Sequence, residues 1–145
     1  SVSISGDYVV VGAFLKDVGT NIDQGKAYIF KRTGTLWNQE AILISSDGSP
    51  FDEFGYSVSI SGDYATVGAR DKDVGDNINQ GKAYIFKRTG SNWTEQVELV
   101  GSGASEYDLF GFSVSISGIH IIVGAPNDDV GSNTDEGKVF FYSRE

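Results

Sequence analysis

Short apolar runs alternate along this chain with polar or glycine-rich stretches, and four kinds of run recur in a fixed order. The first, "SVSIS", alternates serine with Val or Ile, the period-2 pattern of a strand that buries one face. After a Gly-Asp or Gly-Ile pair suited to a tight hairpin comes "YVVVGA", "YATVGA" or "HIIVGA". The third run reads "KAYIFKR" twice and "KVFFYSR" once, and the fourth reads "WNQEAILI" or "WTEQVELV". No segment keeps a helical period over an adequate length. The pattern therefore predicts units of four short antiparallel strands.

The units repeat almost verbatim. "SVSISG" begins at Ser1, Ser57 and Ser113, a spacing of 56 residues both times. Aligned without a gap, residues 1–56 and 57–112 share 35 identical positions out of 56, so they are copies of one supersecondary unit. The chain divides into repeats 1–56 and 57–112 and a partial repeat 113–145, which lacks the counterpart of 34–56. Four strands in a unit of this size are the signature of a β-propeller blade, so the expected fold class is all-β, with two four-stranded blades and a three-stranded third. Closed propellers typically have about four to eight blades. The ring is then incomplete unless other chains or a longer parent polypeptide complete it, and something must cover its open apolar faces.

Two dipeptides recur in fixed register, the first twice and the second three times. Phe54-Gly55 and Phe110-Gly111 precede the first strand, and Gly12-Ala13, Gly68-Ala69 and Gly124-Ala125-Pro126 end the second. With "SVSISG" and "AYIF" around them, these residues resemble the FG-GAP repeats that build the propeller of integrin α subunits and many bacterial surface proteins, and the resemblance covers essentially the whole chain. Physically, glycine beside a strand end permits φ > 0 or close backbone approach, and the phenylalanines can pack between neighbouring blades. Both motifs therefore read as fold determinants. The resemblance implies adhesion or protein recognition through loops on one face.

Charge and composition remove several function classes. A formal charge of -9 and a pI near 4.4, with no basic block beyond Lys31-Arg32 and Lys87-Arg88, repel a polyphosphate backbone, so no nucleic-acid partner is expected, nor an anionic membrane surface. No apolar run is long enough to insert in a membrane, and the first residues lack the basic start of a signal peptide. With no cysteine, disulfides, thiolate metal sites and Cys nucleophiles are absent. An acidic, thiol-free composition fits an extracellular or cell-surface setting.

The connection between the second and third runs carries the candidate chemistry. Its copies read "FLKDVGTNIDQGK", "RDKDVGDNINQGK" and "PNDDVGSNTDEGK". All three share Asp17, Asp73 and Asp129, then Asn21, Asn77 and Asn133, then Asp23, Asn79 and Asp135. Calcium takes six to eight oxygen ligands, which alternating Asp and Asn side chains with loop carbonyls can supply. Calcium is accordingly the candidate cofactor, with Asp71 added in the second copy and Asn127 and Asp128 in the third, whose Asp128, Asp129 and Asp135 make it the strongest of the three. The calcium pattern implied by the resemblance, D-x-D-x-[DN]-G-x-x-D, is kept in no copy: from Asp71, Asp73 and Asn79 fall in place, but Gly75 takes the fifth position and Asp76 the place of glycine. The competing reading is a turn in which Asp73 and Asn77 bond the loop's own backbone while Gly19, Gly75 and Gly131 adopt the left-handed conformation.

Other singular residues carry less. His120, the only histidine, stands where the other repeats have Tyr8 and Tyr64, without a second His or a nucleophile at a recognisable spacing. Trp37 and Trp93 open the fourth run; they cover a blade edge or, in a lectin, stack a sugar. Asp52-Glu53 and Glu106 with Asp108 lie in solvated linkers, and Asn92-Trp93-Thr94 is a formal glycosylation sequon. No nucleophile, base and orienting group can be named together, so no enzyme is expected. The expected function is an extracellular binding or adhesion module that recognises protein partners. The alternatives are a self-assembling homo-oligomer joined through its open blade faces, or a carbohydrate-binding propeller.

Overall fold

The computed structural model describes residues 1–144. Eleven strands form three antiparallel sheets. The first sheet holds β1 (Val2–Ser5), β2 (Tyr8–Ala13), β3 (Lys26–Thr33) and β4 (Leu36–Leu43) in chain order. The second repeats it with β5 (Ser57–Ser61), β6 (Tyr64–Ala69), β7 (Lys82–Thr89) and β8 (Asn92–Leu99). The third has β9 (Ser113–Ser117), β10 (His120–Ala125) and β11 (Lys138–Ser143). No described segment is a helix long and apolar enough to cross a membrane.

Each sheet is a blade, and local chemistry sets its turns. Ser5 pairs Tyr8 across Gly6-Asp7, so the first hairpin has a two-residue turn with Gly6 at φ 57°. The third and fourth strands of both complete blades carry a bulge at the same place, between Ile29 and Phe30 and between Ile85 and Phe86.

Blades stack face to face, and the two faces of one strand serve different neighbours. Val10, Ala27, Ile29 and Leu43 of the first blade meet Phe54, Val58, Ile60, Val67, Tyr84 and Phe86 around the second. On its other side the second blade offers Ala83 and Ile85 to Phe110, Ile116, Ile121 and Val123 of the third. Phe54 and Phe110 are fully buried in these two seams, edge-on to Tyr84 at 5.4 Å and to Phe140 at 5.1 Å. Burial of each ring contributes about 3 kcal/mol.

The "SVSIS" strand has a role that its alternation does not reveal. The first strand of a blade is a sheet edge, so its outward amides need acceptors. Ser1 and Ser3 Oγ accept from the amides of Val58 and Ile60 at 3.2 Å, and Ser5 Oγ accepts from Gly62 at 3.1 Å. Ser59 and Ser61 do the same for Ile116 and Gly118. Each row of serines thus caps the inner edge of the following blade, while Val and Ile between them pack against the preceding one.

The signature glycines meet across the same seams. An added Cβ on Gly12 would lie 1.9 Å from the carbonyl oxygen of Gly55, and one on Gly25 would lie 2.0 Å from that of Phe54. Gly68 and Gly81 stand likewise toward Gly111 and Phe110, both at 2.0 Å. The Phe-Gly peptide that leads into one blade therefore lies flat on two glycines of the blade before it.

Candidate functional site

In an antiparallel blade the connection between the second and third strands and the linker to the next blade emerge at the same end. There they bond to each other. The amides of Phe51, Glu53 and Phe54 donate to the carbonyls of Ile22, Asp23 and Gln24 at 2.9, 3.2 and 2.8 Å, and Tyr107, Leu109 and Phe110 donate to Ile78, Asn79 and Gln80 at 2.8, 3.3 and 2.8 Å. The loop is a dock for the interblade linker.

Its polar residues brace that dock. Asp17, Asp73 and Asp129 each accept, through Oδ1, the amide six residues on, from Asp23, Asn79 and Asp135 at 3.0, 2.8 and 2.9 Å. Those three donors sit at φ 50°, 50° and 55°, and Gly19, Gly75 and Gly131 are also left-handed, as the turn reading expects. Asn21, Asn77 and Asn133 differ from that reading. Their side-chain amides donate to the side chains of Gln24, Gln80 and Glu136 at 2.7, 2.8 and 2.9 Å, and only Asn21 also reaches a backbone carbonyl, that of Gly48 at 3.3 Å. Asp71 faces the Arg70 guanidinium at 3.5 Å, which also pairs Glu53 at 2.9 Å, and the Asn127 amide donates to Asp108 O at 3.4 Å. Among the described residues no three His, Cys, Asp or Glu side chains converge in a way that could hold a metal ion.

Beneath the loops each seam holds an ion network. In the first, Lys72 Nζ donates to Asp47 O at 2.6 Å and Asp52 Oδ2 at 3.0 Å, while Lys82 Nζ joins Asp47 at 2.8 Å and Glu98 at 2.5 Å. Burial pushes the Asp47 carboxyl up, but hydrogen bonds from Lys82 and Tyr84 and the Lys72 charge outweigh it and hold it below the usual range. For Asp52 burial wins over the Ser49 amide and Lys72, and its carboxyl is raised. The second seam is rewired. Asp128 replaces lysine and pairs with Lys138, and burial raises Asp108 with help from the Asp128 and Asp129 charges.

The end that carries these loops is electrostatically distinct. Residues 14–25, 44–56, 70–81, 100–112 and 126–137 contain fourteen of the 20 acidic residues but only Lys16, Arg70 and Lys72 among the bases. Above that acidic ground stand two apolar pairs that composition did not flag. Phe51 is 60% exposed beside exposed Ile22, and Tyr107 is 51% exposed beside exposed Ile78. Both aromatics hold left-handed backbone at φ 68° and 64°, a conformation that bulky residues rarely adopt.

The remaining singular residues fall into the packing. Trp93 lies edge-on to Tyr8 of the preceding blade at 6.2 Å, and its Nε1–H donates to Glu40 at 3.4 Å, so it covers a blade edge. Its copy Trp37 lies on the first blade and is partly exposed. His120 is an exposed strand residue 3.4 Å from the Ser143 hydroxyl.

No curated protein matches the chain. The family model described as "FG-GAP repeat" matches residues 1–30, 37–86 and 93–142. Its second and third matches each run from the outer strand of one blade through the linker to the third strand of the next, so each contains a seam with its Phe-Gly peptide and opposed glycines. A match over nearly all of the chain, on the motifs that build the seams, shows that this protein belongs to the FG-GAP repeat family.

Proposed function

We propose that the chain is a non-catalytic, extracellular recognition module that engages a protein partner through the acidic rim formed by its second-to-third-strand loops and linkers. The observation that carries this reading is the pair Phe51 and Tyr107: large, exposed and strained at equivalent positions, one at each seam. Strain at an exposed residue costs stability and contributes no core packing in return, which is the pattern of a position kept for contact. Aromatic anchors on an acidic field fit a partner segment with an apolar knob flanked by Lys or Arg.

Asparagine tolerates left-handed backbone, so Phe51→Asn with Tyr107→Asn separates folding from recognition. The double variant is expected to keep or raise the melting temperature. Peptides selected from a displayed 12-residue library on the unaltered protein should be rich in Lys and Arg and should bind the variant at least about ten-fold more weakly. Selected binders that are insensitive to the double variant, or a melting temperature that drops sharply, would refute the reading.

A second reading, self-association, is favoured by the open faces. Val2 and Ile4 are 71% and 65% exposed on the first blade, and Phe141 is 76% exposed on the third. In the two internal seams the counterparts Val58, Ile60 and Ile116 are buried and Val114 is half-buried. By repeat equivalence Ser115 and Ser117 of one copy can cap the inner edge of the first blade of another. Head-to-tail pairing then gives twice the 15.6 kDa chain mass in sedimentation at about 0.1 mM, and Ile4→Asp or Phe141→Asp returns the monomer. A monomer throughout that range rules this reading out.

A further inference from the structure

An ammonium group closes the first seam inside a set of oxygens. Lys72 Nζ donates to Asp47 O at 2.6 Å, to Asp52 Oδ2 at 3.0 Å and to Ser49 Oγ at 3.4 Å. The second seam keeps the linker that supplies those oxygens. Gly103, Ser105 and Asp108 stand one repeat on from Asp47, Ser49 and Asp52, and the Ser105 amide donates to Asp108 Oδ2 as the Ser49 amide does to Asp52 Oδ2. What changes is the group that meets them. Lys72 is repeated as Asp128, so where the first seam sets a positive charge against Asp52, the second sets another carboxylate against Asp108.

Both acids are out of water, Asp108 at 3% and Asp128 at 1% exposure. Asp128 Oδ1 accepts from Lys138, whereas no group among the described residues donates to its Oδ2. A buried carboxylate oxygen without a partner is costly, and more so beside a second carboxylate. The Asp128 and Asp129 charges in fact push the Asp108 carboxyl up, on top of its burial. An aspartate is also two bonds shorter than a lysine, so its oxygens stop about 2.5 Å short of the place a lysine ammonium reaches. That gap is the length of a calcium–oxygen bond, about 2.3–2.6 Å. We propose that Asp108 and Asp128 hold a calcium ion in the place that the Lys72 ammonium takes in the first seam, with the Gly103 carbonyl and the Ser105 hydroxyl as further ligands. Every donor is a hard oxygen, and buried walls leave little room for the water shell that magnesium keeps. Two carboxylates and neutral linker oxygens make the site, without a third acid. Of the third loop's alternating acids and amides only Asp128 takes part, since Asp129 Oδ1 serves the Asp135 amide. The site lies inside a seam and does not rest on the recognition reading of the rim.

The full chain, freed of metal with a chelator, is titrated with calcium chloride in a calorimeter, and its melting temperature is followed in parallel. One ion per chain is expected to bind, with a rise in melting temperature of about 5 °C at saturation. Asp108→Asn should weaken calcium binding at least about ten-fold. Asp128→Lys supplies the ammonium of the first seam, so it should abolish the calcium response and hold the melting temperature near that of the calcium-loaded protein. Asp135→Asn separates the seam from the loop: asparagine already stands at the equivalent left-handed position, Asn79, so the variant should fold and bind calcium as the unaltered protein does. If Asp128→Lys fails to fold, the two asparagine variants still decide the matter. No calcium-dependent heat or melting shift, an equal response to magnesium or potassium, binding untouched by Asp108→Asn, or binding lost with Asp135→Asn overturns the proposal.

Discussion

Gly68→Ala is expected to lower stability by about 3 kcal/mol, a fall in melting temperature on the order of 10 °C. The new methyl group would lie 2.0 Å from the Gly111 carbonyl oxygen and 2.3 Å from Ser57 Oγ. The serine can rotate, although it would lose its 2.7 Å bond to Gly111 O. The carbonyl cannot yield, because Gly111 is held by its amide bond to Gly124 O at 3.1 Å and by the buried Phe110 beside it. Relief therefore requires the second and third blades to separate along their whole seam. Gly62→Ala is the control. Gly62 is left-handed at φ 58° with no atom within 4 Å of an added Cβ, so the substitution tests backbone strain alone and should cost about 1 kcal/mol. A Gly68 variant no worse than the Gly62 control would show that the signature glycines are not contact-limited. Chemical denaturation with both variants decides it.

That comparison also marks where sequence reasoning reaches its limit. The blades were legible because a strand's alternation is local and a 56-residue repeat prints the same alternation three times. The seams were only half legible. Glycine in "VGA" and in "FG" suggested close backbone approach, but which glycine meets which depends on stacking one repeat on the next. The serines of "SVSIS" read as the solvent side of a strand, yet Ser59 Oγ is the acceptor for the Ile116 amide 57 residues away. A residue whose partner lies a full repeat distant leaves no local signal.

The loop shows a different limit. Asp and Asn at alternate positions suit both a calcium ligand set and a braced turn, because both need oxygens aimed at one point. In this structure the point that Asp73 Oδ1 serves is the Asn79 amide, and the turn so fixed presents Asn79 O to the linker. Asn77 departs from the backbone bonding expected of it, because its side-chain amide donates to the side chain of Gln80 instead. Phe51 and Tyr107 were passed over altogether. Their exposure and left-handed backbone come from the linker's docking onto the preceding loop, and nothing in "SPFDEFG" or "SEYDLFG" announces it.

The second large effect is expected at Lys72. Lys72→Met keeps the length and apolar stem of the side chain but removes the ammonium from a site where lysine and Asp52 are both buried. Loss of one partner of a buried pair typically costs about 3–5 kcal/mol, because the other charge stays desolvated. Here the orphan is Asp52, whose carboxyl burial already raises despite the Lys72 charge and the Ser49 amide. Without lysine it rises further. A folded-state pKa above the unfolded value means that proton uptake favours the fold as pH falls through it. The deficit of the variant relative to the unaltered protein should therefore be largest near neutral pH and shrink as the medium is acidified toward Asp52 protonation. Asp52→Asn added to Lys72→Met should recover most of the loss at neutral pH, since an amide can keep the Ser49 contact without a charge. The third repeat has already changed this position to Asp128, but it also redirects Lys138 onto the new carboxylate and replaces Asp47 by Gly103 and Tyr84 by Phe140. Lys72→Asp alone, without those accompanying changes, should be worse than Lys72→Met, and equal denaturation midpoints for the two would mean that the ammonium is not what holds the first seam.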